Sequence, residues 1–408
     1  MKSLYITQRP LLVLAVCALC ATLSAQPTQR WVATWITSNV SSDQPATFSN
    51  QTIRNVVHTT IAGSAVRIRL SNTFGPNAIH FDAVFAGLQK DGASLVAGSN
   101  HEVTFGGSRA VTVPEGAEML SDPIPLELRA EQNLAISLFT AGATGSATVH
   151  GSAFQTSYVS EKGNAAADES AAAFTKTTGS WYFLSAVDVL AGPSVKGAGV
   201  ALGDSITDGA SARMDKNERW TDVLAHRLLA SHHEIATLNA GIGGNRVLTS
   251  SPCWGENALA RLGRDVLGQA GVTAIILFEG TNDIGQPDTP SNSPCLSKTP
   301  VTPDDIIAGY QQIIARAHSR GLKIFGATIL PYQGFSGWTE KGEAKRVAVN
   351  QWIRTSGAFD GVIDFDQALR DPANPPRIAA RYDSGDHLHP GTAGHEAMGN
   401  AVDLAIFP

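Results

Sequence analysis

Over its 408 residues the chain carries only four cysteines, 16% charged residues and 7% aromatic ones. Each scarcity excludes something. No run of lysine or arginine stands out against the formal net charge of -6, so the basic stripe that nucleic-acid binding requires is missing. Neither Cys253 nor Cys295 has a second cysteine or a histidine at ligand spacing, which argues against a zinc site. Beyond Ala25 no segment is long and apolar enough to span a bilayer.

What is present begins with an export pattern. Lys2 and Arg9 flank the start of an apolar run from Leu11 to Leu23, and Leu23-Ser24-Ala25 offers a cleavage point before Gln26 and Pro27. Leu23 is larger than the usual residue there. A lipoprotein cut would need a small residue before Cys17 or Cys20, where Val16 and Leu19 stand. A cleaved signal over residues 1–25 is therefore expected, with a secreted or periplasmic location. Cys253 and Cys295 then remain as an even pair in the Pro/Ser-rich loops Ser251-Pro252-Cys253 and Ser293-Pro294-Cys295. In an oxidising compartment a disulfide is expected between them, two free thiols being the alternative.

The rest, 43% hydrophobic overall, divides into two halves of different periodicity. Over residues 27–192 apolar and polar residues alternate in short runs between Gly, Asn and Ser turns, as in Thr52 to His58 and Ala65 to Leu70. No amphipathic helix interrupts them, which predicts a β-sandwich, in jelly-roll form or another. Over residues 195–408 strands alternate with helices. Val272 to Phe278 is a continuous apolar run, as a strand buried on both faces requires. Thr302-Pro303-Asp304-Asp305 combines a cap residue, proline at the first helical position and acids in the first turn, predicting a helix from there to His318. Such units build an α/β domain whose parallel sheet is covered by helices on both faces, and ligands bind beyond the carboxyl ends of its strands.

Four segments stand at those ends. Gly203-Asp204-Ser205 follows the first strand, where a serine can meet the N–H groups of the next turn; a lone serine there otherwise caps a helix. Asn239 to Asn245, with its glycine run, ends the second strand. Glu279-Gly280-Thr281-Asn282-Asp283 ends the central apolar strand, and Asp383 to Pro390 precedes the last helix. Together the blocks Gly203-Asp204-Ser205, Gly244, Gly280-Thr281-Asn282-Asp283 and Asp386-His387-Leu388-His389-Pro390 resemble those of the SGNH hydrolases, also called the GDSL esterase/lipase family, across the whole carboxyl half.

The resemblance implies a flavodoxin-like sheet and a serine esterase needing no cofactor. Ser205 would be the nucleophile, His389 its base and Asp386 the acid orienting the imidazole, with an oxyanion held by the Ser205 and Gly244 N–H groups and the Asn282 side chain. His387, with Asp383 as partner, is a decoy that the Asp-x-x-His spacing of the family rejects. A metal site built from Asp383, Asp386, His387 and His389 is disfavoured because no helix orients them. Arg246 either faces the pocket or is salt-bridged at the surface. Tyr332, Phe335 and Trp338 either wall a sugar or acyl site or pack against the sandwich. An exported domain of this kind behind a sandwich looks like the carbohydrate esterases that remove O-acetyl groups from plant polysaccharides, acetylxylan esterases among them. The alternatives are a lipolytic or broad short-chain esterase and, from another class, an inactive carbohydrate-binding protein. No feature specifies an oligomer.

Overall fold

The computed structural model of the chain describes Met1, residues 30–41 and residues 45–407. The signal segment expected over residues 1–25 lies, Met1 apart, outside the described residues. No described helix is long and apolar enough to cross a membrane.

Alternation in the amino-terminal half produces two main antiparallel sheets. In Val66–Ser71, Val66, Ile68 and Leu70 are fully buried while Arg67 and Arg69 turn outward, Arg67 bonding Asp188 at 2.8 Å. This strand lies in a four-stranded sheet ordered Arg30–Ile36, Leu184–Ala191, Val66–Ser71, Glu118–Leu120. A seven-stranded sheet is centred on Ser49–His58 and Asn133–Ala143. Val32, Ile68 and Val187 of the first sheet share one apolar cluster with Ile53, Val57 and Ile136 of the second. Alternation in Thr52 to His58 does not leave one face wet: Arg54 is fully buried, because the segments around Ala93, Asp168 and Phe174 fold over that face.

The carboxyl-terminal half is a five-stranded parallel sheet: β1 (Gly197–Gly203), β2 (Ile235–Gly241), β3 (Val272–Phe278), β4 (Lys323–Ala327) and β5 (Gly361–Ile363). Its order, β2-β1-β3-β4-β5, is the flavodoxin-like one, with the reversal of direction between β1 and β3. The helices are α1 (Ser205–Asp208), α2 (Trp220–Ala230), α3 (Ala258–Leu262), α4 (Thr281–Gly285), α5 (Pro303–His318), α6 (Glu340–Thr355), α7 (Phe365–Leu369) and α8 (Thr392–Ala401). Helix α3 passes directly into a single π-turn, Gly263–Leu267.

Strand β3 shows why its sequence does not alternate. Ile275 and Leu277 join one cluster with Ile306, Ile313 and Val349 of α5 and α6. Ala274, Ile276 and Phe278 join another with Trp220, Phe365 and Met398 of α2, α7 and α8. The first of these clusters is also the core of the two antiparallel sheets. The halves therefore share a continuous apolar core, and the Ala33 N–H crosses to the Ala270 carbonyl at 2.9 Å. A large apolar junction of this kind holds two domains in one orientation.

Candidate active site

Ser205 begins α1 immediately after β1, so its backbone N–H lacks an intrahelical acceptor. Asp204 caps the helix, its carboxylate accepting from the Ile206 N–H at 2.9 Å. The loop after β2 carries Gly244 at φ +74°, and a Cβ there would meet the Trp254 ring at 2.3 Å, so only glycine fits. Asn282 lies on α4, just past β3. Its Nδ2 donates to the Asn245 carbonyl at 3.0 Å and lies 3.4 Å from Asp204 Oδ2. These groups converge where the strand order reverses.

The last block completes the arrangement. His389 Nε2 lies 2.9 Å from Ser205 Oγ, and His389 Nδ1 lies 2.6 Å from Asp386 Oδ2. Carboxylates only accept, so Nδ1 bears the proton and Nε2 presents its lone pair to the hydroxyl. Asp386 Oδ1 accepts the N–H groups of Leu388 and His389 at 2.9 and 2.8 Å. Burial pushes the Asp386 carboxyl up, but the His389 imidazole and these N–H groups outweigh it and hold the group below the usual carboxylate range. The decoy pair exists too, with His387 Nδ1 at 2.5 Å from Asp383 Oδ2. His387, however, sits at φ +66° and its ring lies against Gly334, away from Ser205.

Beside Ser205 and His389 opens a largely apolar cavity of about 270 Å³, walled by Trp254, Leu296, Tyr332, Phe335 and Leu388, with Gly244 and Asn282 at its base. Cys253 and Cys295 are bridged. Each directly precedes a wall residue, Trp254 or Leu296, so the disulfide joins two walls of the cavity. Tyr332 is on the cavity. Trp338 is not: it packs against the main apolar cluster. Arg246 neither lines the cavity nor bridges at the surface. Only 2% exposed, it bonds the Thr249 and Ser250 carbonyls at 3.0 and 2.8 Å and Gln286 Oε1 at 2.6 Å, since its side chain turns under the loop whose glycines form the wall.

Several partners were not visible in the sequence. Gln286 donates to the Gly244 carbonyl at 3.0 Å. Arg261, fully buried, donates to the Gly203 and Ala240 carbonyls at 2.9 and 2.6 Å, tying β1 to β2, and lies 3.5 Å from Glu279. Burial raises the carboxyls of Asp204 and Asp283 to about 6 and that of Glu279 well above its ordinary value. Asp283 meanwhile accepts the Val247 and Leu248 N–H groups at 2.8 and 3.2 Å, fixing the loop after Gly244. Asp283 was visible only as the last residue of the Gly280-Thr281-Asn282-Asp283 block, without its partners. Among the described residues no group of three or more His, Cys, Asp or Glu side chains is arranged to hold a metal ion.

Residues 201–397 match the GDSL-like Lipase/Acylhydrolase family. This half of the chain is a GDSL-type acylhydrolase domain. It makes the protein a carboxylic ester hydrolase. No curated protein matches the chain. Similar solved structures include a GDSL-like lipase from Bacteroides thetaiotaomicron, at 16% identity over 51% of this chain and 87% of that one, with a TM-score of 0.37. An acetyl-xylooligosaccharide esterase from a Geobacillus has 20% identity over 50% and 91%, with a TM-score of 0.39. An acetyl xylan esterase has 17% identity over 50% and 96%, with a TM-score of 0.37.

Proposed function

We propose that this GDSL-type hydrolase cleaves short-chain carboxylic esters through an acyl-enzyme on Ser205, and that it does so after export. The observation that carries the reading is the unbroken relay from Ser205 Oγ through His389 to Asp386, at 2.9 and 2.6 Å. Ser205 Oγ attacks the ester carbonyl as His389 Nε2 takes its proton, and Asp386 stabilises the imidazolium. The oxyanion is received by the Ser205 and Gly244 N–H groups and by Asn282, whose N–H toward Asp204 is only loosely engaged at 3.4 Å. His389 returns the proton to the departing alcohol oxygen. Water then repeats the cycle on the acyl-enzyme, releasing the acid and restoring Ser205.

The alcohol we favour is carbohydrate, with an O-acetyl group as the ester. A polar groove of about 350 Å³, lined by Ser152, Ser180 and Tyr182, meets the cavity at Gly243 and Trp254. In this reading the two-sheet, jelly-roll-like half supplies one wall of the groove. A second reading, a broader short-chain or lipolytic esterase, is favoured by the apolar walls of a cavity larger than an acetyl group fills. Acetate release from acetylated xylan, set against p-nitrophenyl esters of rising chain length, separates the two. Ser205→Ala is expected to lower kcat on either substrate on the order of a millionfold. Normal turnover by that variant sinks the proposal.

A further inference from the structure

Asp208 closes the one-turn helix that Ser205 opens, and its side chain is almost fully buried. Its two carboxylate oxygens do different things. Oδ2 accepts the Gly243 N–H at 3.1 Å, directly before Gly244, while Oδ1 lies 2.9 Å from His150 Nε2. His150 belongs to the amino-terminal half, on the short strand Val149–His150. Its other nitrogen, Nδ1, lies 2.8 Å from the Ser38 carbonyl. A carbonyl oxygen only accepts, so Nδ1 carries a proton; the bond to Asp208 needs a second proton shared between Nε2 and the carboxyl. The far end is anchored as well, since Ser38 Oγ receives a hydrogen bond from Arg261 Nη1 at 3.1 Å. Arg219 holds the same helix turn from the other side, donating to the Asp208 carbonyl at 2.9 Å and to the Ala153 carbonyl of the amino-terminal half.

A continuous chain of hydrogen bonds thus runs from Ser38 through His150 and Asp208 to Gly243. It ends on both structures that meet the reacting ester: the turn bearing Ser205 and the loop bearing the Gly244 N–H. We propose that His150 is a positioning residue for ester hydrolysis, through which the amino-terminal half fixes the spacing between the Ser205 oxygen and the Gly244 N–H. The proposal rests on the reading of Ser205 as nucleophile. It gives the sandwich a part in the chemistry that does not depend on its touching substrate.

Two substitutions in the full-length protein test it. Glutamine places its amide nitrogen near the position of Nε2, so His150→Gln keeps a donor for Asp208 and gives up Ser38. Asparagine places its nitrogen near Nδ1, so His150→Asn keeps Ser38 and gives up Asp208. The readouts are kcat and KM on a short-chain p-nitrophenyl ester, the rate of fluorophosphonate labelling at Ser205, and Tm. His150→Asn is expected to lose about 100-fold in kcat and in labelling rate, as for a displacement of about 1 Å, with KM within about twofold. His150→Gln is expected to stay within about fivefold of wild type on both rates. A structural role alone would lower Tm in both and spare the turnover of the folded fraction. Equal losses in the two variants, a greater loss in the glutamine variant, or no loss in either overturns the proposal. Wild-type protein that resists labelling at Ser205 overturns the nucleophile reading instead, and this proposal with it.

Discussion

Two sites, one in each half of the molecule, bury charge in opposite ways. In the sandwich, Arg54 is fully enclosed and answered mainly by neutral groups: Ser137 Oγ at 2.8 Å, the Ala93 and Asp168 carbonyls at 2.5 Å each, and the Phe174 ring 4.0 Å from its guanidinium carbon. Burial lowers it to about 10. It staples two loop segments over a sheet face and no cavity adjoins it among those described. In the hydrolase half, buried Asp204, Glu279 and Asp283 gather at the carboxyl ends of β1 and β3, with Arg261 the cation in contact with Glu279. An arginine satisfied by carbonyls organises packing. Carboxylates raised by burial under a cavity are the pattern expected where stability is given up for chemistry.

The sharpest way to test that contrast is to remove one imidazole at the rim. His389→Ala is expected to lower kcat on the order of a millionfold, the cost of losing a group that acts as a unit with its serine, with Tm nearly unchanged because the ring is partly exposed. His387→Ala, two residues away, is expected to keep activity within about threefold, since its ring bonds Asp383 and not Ser205. Steady-state rates on one ester substrate check both. An inactive His387→Ala with an active His389→Ala would reverse the site.

In the sandwich the expectation is inverted. Arg54→Met fills much of the same volume but strands the Ala93 and Asp168 carbonyls and Ser137 Oγ, which is expected to destabilise the fold by about 2 to 4 kcal/mol. The kcat per folded molecule should not move. Chemical denaturation gives the first quantity, and rates corrected for the labelled fraction of Ser205 give the second. A tenfold fall in kcat at full folding would show that the sandwich's buried charge also serves catalysis, and the contrast would fail.

How much of this was legible beforehand depends on how locally each feature is encoded. The apolar run of Val272 to Phe278 announces a strand buried on both faces because no polar residue offers it a wet side. Thr302 and Asp305 announce a helix start because the capping box is made within four residues, and it is found, Thr302 Oγ1 accepting the Asp305 N–H at 3.2 Å. The four blocks were legible for the same reason. The two His–Asp pairs of the last block show the limit. Each is a sound local pair at 2.5 to 2.6 Å; the family's Asp-x-x-His spacing selects the second, and its physical ground, the approach of Ser205 from 184 residues away, appears only in the fold. His150 and Asp208 lie in different halves and carry no local pattern at all. Arg246 misled because a charged residue beside a glycine loop looks pocket-facing, whereas three acceptors beneath the loop capture it.

The smallest expected effect is also the most pointed, because it concerns the give-and-take at the rim itself. Burial raises Asp204 to about 6 despite the Ile206 N–H that it accepts as a helix cap. Its unfolded value is about 3.9. Below pH 4 the carboxyl is protonated in both states and contributes nothing to the pH dependence of stability. Between about pH 4 and 6 the native state keeps a proton that the unfolded chain has released, so stability falls as pH rises, and above 6 the full loss, at most about 3 kcal/mol, is in force. Asp204→Asn retains an oxygen for the Ile206 N–H and removes the titration. Its stability relative to wild type is therefore expected to improve from about pH 4 to pH 6 and to level off above that in denaturation series. Its kcat is expected to fall about tenfold, because a negative charge that favours the His389 imidazolium has gone. A variant that gains no stability with rising pH, or that gains it without slowing, would mean that the buried carboxylate of the Gly203-Asp204-Ser205 turn is there for packing alone, like Arg54 in the other half.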